Sequence, residues 1–133
     1  MRTRTRWLSG LVLVGLMAVV PLAPASAATA HARTPQLGSN QGIVDATSGL
    51  NVRGINVGQY PSTNLPIVGH LSYNQVVTIR CYYVGQTITG PYGPTDIWDS
   101  IIGYQTNNYD GIASDAWIYT GSNTPKVPAC GGP

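Results

Sequence analysis

From residue 42 to residue 130 the apolar residues come in short β-branched or aromatic runs that turn-forming residues interrupt every few positions. The runs are Ile43-Val44, Leu50 alternating with Val52, Ile67-Val68, Val76-Val77-Thr78-Ile79, Thr87-Ile88-Thr89, Ile97-Trp98 to Ile101-Ile102, and Trp117-Ile118-Tyr119. Between them fall Ser48-Gly49, Gly69, Gly85, Gly90-Pro91-Tyr92-Gly93-Pro94, Asn107-Asn108, Asp110-Gly111 and Gly121-Ser122-Asn123. A strand needs roughly four to eight such residues, whereas an amphipathic helix needs a 3.6-residue period held over about 11 or more. After residue 27, no stretch of that length keeps the period without a glycine or proline inside it. The punctuation excludes a helical domain and predicts an all-β one, a small barrel or sandwich of short antiparallel strands.

The first 27 residues read differently. Arg2, Arg4 and Arg6 precede an uncharged apolar stretch from Trp7 to Val20, then Pro21 and Pro24, then Ala25-Ser26-Ala27. A basic start, an apolar middle and small residues at alternate positions define a secretory signal peptide, with cleavage expected after Ala27 or, second, after Ala30. The stretch is too short and too proline-broken for a spanning helix, which needs about 20 apolar residues. Residues 28–41 are polar, without apolar periodicity, and predict a flexible linker before a domain over residues 42–133.

Removing the leader removes three of the seven basic residues. What remains is Arg33, Arg53, Arg80 and Lys126 against Asp45, Asp96, Asp99, Asp110 and Asp115, a net charge of −1. Such a surface cannot neutralise a run of phosphates, so neither nucleic acid nor an anionic membrane is an expected partner. Cys81 and Cys130 are the only cysteines, and an even count in an exported chain predicts a disulfide that ties the proline-rich tail back to the body. Two cysteines and one domain histidine, His70, supply too few ligands for a structural metal, and no cofactor is expected.

Several segments, in order, carry a family likeness: Leu50-Asn51-Val52-Arg53, Pro61-Ser62-Thr63 before Ile67-Val68-Gly69, a strand ending in Cys81, Ile97-Trp98-Asp99, and Gly111-Ile112-Ala113. Together they resemble a bacterial SH3 (SH3b) domain of the secreted actinobacterial type, over residue 42 to about 130. The resemblance implies a small SH3-like barrel, and a module of the kind that targets cell-wall material; here it would stand alone. Two departures stand out. Residues 54–60 replace a shorter turn after the arginine and correspond to a loop bordering the family's ligand groove, and Ile112-Ala113 stand where an aromatic is usual.

Enzyme chemistry has little to work with. The chain has no glutamate, one lysine and one domain histidine, so acid–base catalysis would rest on His70 or on the carboxylates Asp96 and Asp99 flanking Ile97-Trp98. His70 reads as an edge histidine, Asp96 as a turn residue and Asp99 as a structural neighbour of a core Trp98. Aromatics offer more, with eight tyrosines and no phenylalanine in the chain. Tyrosine presents an apolar face with a hydroxyl, which suits neutral glycans and peptides. Tyr60, Tyr92 and Tyr109 sit in loops rich in Gly, Pro or Asn and, with Asn56, are the expected ligand contacts. The expectation is a secreted, non-catalytic module that binds a cell-wall peptide or glycan of peptidoglycan. A secreted protein is the alternative partner, in an interaction or inhibitor role, and a small wall hydrolase the remote one.

Overall fold

The computed structural model describes residues 36–131. The expected signal peptide and most of the expected linker lie outside the described residues. Seven strands build one antiparallel sheet: β1 (Gln41–Val44), β2 (Leu50–Ile55), β3 (Ile67–Leu71), β4 (Val76–Gly90), β5 (Gly93–Ile101), β6 (Asp110–Ser114) and β7 (Ile118–Tyr119), in the order β3-β2-β6-β5-β4-β1-β7. A single 3-10 turn, Asp115–Trp117, sits between β6 and β7, capped by the Ser114 hydroxyl, which accepts from the Ala116 amide. The fold is all-β, with the sheet curled about its core.

Alternation sets which face is inside. On β2, Val52 is fully buried while Asn51 is exposed. Val44, Val52, Leu71, Val77, Ile79, Ile101, Ala113 and Ile118 make the main core. A second, smaller cluster joins Ile55, Trp98 and Ile112. Ile112, at the expected aromatic position, is thus a core residue. Trp117 packs half-buried against the main core.

Three expectations shift. Strands β4 and β5 run to 15 and 9 residues, so not all strands are short. Gly85 is not a turn: β4 passes through it with a register irregularity between Val84 and Ile88. The reason is close approach, since a Cβ there would meet Pro61 Cβ at 2.4 Å and its carbonyl oxygen at 2.5 Å. Gly69 likewise lies within β3, beneath the Tyr104 ring. The linker ends earlier than residue 41, because Gln41 already belongs to β1 and Asn40 accepts from the Ile79 amide.

Cys81 and Cys130 are joined, as the sequence predicts, across a separation of 49 residues. Beside the bond, Tyr82 donates its amide to Pro128 and accepts from the Cys130 amide, so the tail adds a short parallel bridge to β4. Closing a loop of that length removes about 4 kcal/mol of unfolded-state entropy in the chain-entropy account.

Candidate functional site

The loop after β2 is shorter than the sequence suggests, because Gly54 and Ile55 complete that strand and pair with Gly111 and Asp110. Residues 56–59 then form a turn: Gln59 donates its amide to Asn56 O at 3.1 Å, and its side chain accepts the Asn56 amide at 2.8 Å. Gly58 holds the left-handed conformation (φ 77°) that lets the chain reverse there. Gly54 has a different role, since a Cβ on it would meet Val68 at 2.8 Å and the Tyr109 ring at 3.3 Å. It opens room for a side chain of the protein rather than for a ligand.

Across from this turn, residues 105–110 form the loop entering β6. Thr106 Oγ1 accepts the amides of Asn108 and Tyr109, and Thr106 donates its amide to Tyr109 O at 2.9 Å. The two loops meet beside Arg80 and Tyr83 of β4 and enclose an open cleft of about 700 Å³, which Gly131 of the disulfide-bound tail also lines. Its walls carry the amides of Asn56, Gln59, Gln105, Asn107 and Asn108, with Tyr83 and Tyr109.

The floor is a hydrogen-bonded network about Asp110. Arg80 pairs with Asp110 Oδ2, Tyr83 donates its hydroxyl to the same oxygen at 3.1 Å, and Ser100 donates to Oδ1 at 3.0 Å. Burial, then the neighbouring Asp110 carboxylate, pushes the Tyr83 phenol up, so it stays a neutral donor. With Arg80 half-exposed the ion pair adds little stability, under about 1 kcal/mol, but it cancels the cleft's charge. Asp110 also lies near the Cys81 and Cys130 sulfurs. Those sulfurs are tied in the disulfide, and metal ligation needs thiolates, so the three residues do not make a metal site.

The expected contact residues separate into three places. Asn56 and Tyr109 line this cleft together, Asn56 exposed and Tyr109 half-buried. Tyr60, 64% exposed, follows the turn but does not line the cleft. Tyr92 is exposed on the β4–β5 hairpin and lines another cleft. His70 is exposed on β3 with its ring against Asn51 Oδ1 at 3.2 Å. Asp96 is exposed while Asp99 is buried, so these two do not face each other across a groove.

Asp99 instead meets Asp115, a partner that sequence reasoning missed. Asp99 opposes Ala113 across β5 and β6, and Asp115 opens the 3-10 turn just beyond. Burial, reinforced by the Asp115 charge, holds the Asp99 carboxyl well above the usual carboxylate range, and burial raises Asp115 as well. Asp99 Oδ2 is buried with no hydrogen-bond partner. A proton on Asp99, shared with Asp115, removes the buried charge and the repulsion between the two carboxylates.

This small, disulfide-closed all-β domain is similar to two curated proteins. The uncharacterized protein YraJ of Bacillus subtilis (strain 168) is 37% identical to it over 78 residues, and the uncharacterized protein YraI of the same organism 35% over 78 residues. Each match covers 57% of this chain and 66% of the relative, just under two thirds of the relative's own length. No family model matches the chain, and no solved structure matches it.

Proposed function

We propose that the domain is a secreted, non-catalytic SH3-like module that binds a cell-wall peptide or glycan in the cleft between residues 56–59 and 105–110. One observation carries this reading: two loops distant in sequence meet around an open cleft walled by side-chain amides and tyrosines, with the Arg80–Asp110 ion pair satisfied internally. Amides both donate and accept, and tyrosine adds an apolar face, which matches ligands of neutral peptide and sugar groups. The same composition argues against catalysis there, because the carboxylate present is already engaged by Arg80, Tyr83 and Ser100. The disulfide fits an oxidising, extracellular setting. No helix among the described residues is long and apolar enough to cross a membrane.

Retention on purified peptidoglycan tests the reading. Asn56→Ala and Asn107→Ala each remove exposed hydrogen-bonding groups from the cleft, and each should weaken retention by about 1 kcal/mol, roughly fivefold, with unchanged thermal stability. Asp96→Ala, outside the cleft, should have no effect. A protein-partner reading draws on Val57, 88% exposed at the tip of the turn. Under that alternative Val57→Ser would abolish capture of a secreted protein, while neither asparagine change would alter retention on wall material.

A further inference from the structure

On a different part of the surface, the β4–β5 hairpin faces β7 and the loop that follows it, enclosing a cleft of about 500 Å³. Tyr92 and Tyr119 form one wall, their ring centroids 5.5 Å apart and tilted by 40°. Both rings remain open to solvent, 49% and 36% exposed. The Tyr92 hydroxyl is fixed by donation to Asp45 Oδ2 at 2.6 Å. The remaining polar side chains of the cleft are those of Asp115, Thr95, Thr120, Ser122 and Asn123, and among the described residues no Arg, Lys, His or Trp lines it.

We propose that this cleft is a second binding site and that it takes a primary ammonium group. A tyrosine face attracts a cation through its quadrupole, most strongly where water is partly excluded, and an ammonium needs oxygen acceptors for its three N–H groups. The cleft offers both, two tyrosine faces and the oxygens of Asp115 and its hydroxyl neighbours. The charge balance has the same sign. Asp45 stands at the hydroxyl end of Tyr92, and Asp115 lines the cleft and keeps the one negative charge of the proton-sharing Asp99–Asp115 pair. Lys126 approaches this end of the cleft: its Nζ lies 3.6 Å from the position a Cβ on Gly121 would take, with the Tyr119 hydroxyl 3.9 Å from the same point. The chain's own ammonium thus reaches the rim beside Tyr119. A neutral sugar would use the tyrosine faces as well, but it would draw no benefit from the aspartates.

The inference does not rest on the reading of the first cleft, since no described residue lines both. The test is titration of the domain with Nα-acetyl-lysine amide, followed by amide chemical shifts, with Nα-acetyl-norleucine amide as the probe lacking the ammonium. Saturable shifts confined to residues 92–95 and 115–123 are expected with the lysine probe, with Kd on the order of 1 mM for so small a ligand. Tyr119→Leu should weaken binding about threefold or more. Lys126→Ala, which removes a competing positive charge at the rim, should strengthen it about twofold. Equal shifts with the norleucine probe, no response in these residues, or weaker binding by Lys126→Ala would each overturn the proposal. So would chitotriose shifting these residues while the lysine probe does not. Shifts confined to residues 56–59 and 105–110 would locate the ligand in the first cleft and overturn this one alone.

Discussion

Asp99, buried against the half-buried Asp115, is the residue whose behaviour the fold most directly dictates. Asp99 is 3% exposed, its Oδ2 is buried with no hydrogen-bond partner, and the group facing it is a second carboxyl, Asp115. Both carboxyls titrate higher in the folded state than in the unfolded chain, where aspartate lies near 3.9. Their contribution to stability is therefore fully present below about pH 3.9 and is lost as pH rises through the folded values. Asp99→Asn keeps the shape, supplies a donor to Asp115 and removes the titration. It should raise stability at pH 7 by about 1 kcal/mol, roughly 4–8 °C in Tm, and flatten the fall in Tm on raising pH above 4, as read by circular dichroism melts. A lower Tm at pH 7 would mean that Asp99 is ionised and stabilised by something else. Sequence did not reveal this pair, because Asp96 and Asp99 are near in sequence whereas Asp99 and Asp115 come together only through the β5–β6 register. Nor did alternation signal it, since residues 98–101 are all buried and the strand is covered on both faces there. Asn56 and Tyr109 were legible as loop residues with suitable chemistry, but that they share a cleft depends on another strand register, that of β2 against β6.

At the scale of elements, the β-branched runs were readable as strands and the Gly90-Pro91-Tyr92-Gly93 punctuation as a hairpin turn, because local propensity and tertiary structure agree there. Gly85 was misleading for a physical reason. A glycine marks a turn when the chain needs left-handed backbone, and here it marks a point where Pro61 lies against the strand. Gly85→Ala should then cost about 1–3 kcal/mol through overpacking, measured by urea denaturation, whereas a true turn glycine at ordinary φ would tolerate alanine. The disulfide was legible from cysteine count and an export-type leader alone. Its element-scale consequence is the tail, held on β4 by the bond and by hydrogen bonds to Tyr82, and supplying Gly131 to the first cleft. Cys130→Ser together with Cys81→Ser should cost about 2–4 kcal/mol of stability. Amides from residue 127 onward should lose hydrogen-exchange protection; unchanged protection would show that the tail holds without the bond.

For the whole molecule, a near-neutral charge over residues 28–133, where four basic residues face five aspartates, a disulfide and a small all-β core are the features that decide what such a domain can do. Its core is modest, and the covalent closure offsets part of the chain entropy that a larger core would have overcome. Export is the first link in the account: protein from culture supernatant should begin at Ala28 or at His31 by N-terminal mass spectrometry, and intact Arg2 to Arg6 on that material would contradict the leader. The second link is binding without turnover. The most direct measurement is co-sedimentation of the mature, oxidised domain with purified peptidoglycan, with suspension turbidity followed in the same tube. The account predicts that the wild type is retained, that Asn56→Ala and Asn107→Ala are retained roughly fivefold more weakly at unchanged Tm, and that turbidity stays constant. A wild-type domain left in the supernatant, or a suspension that clears, would contradict it.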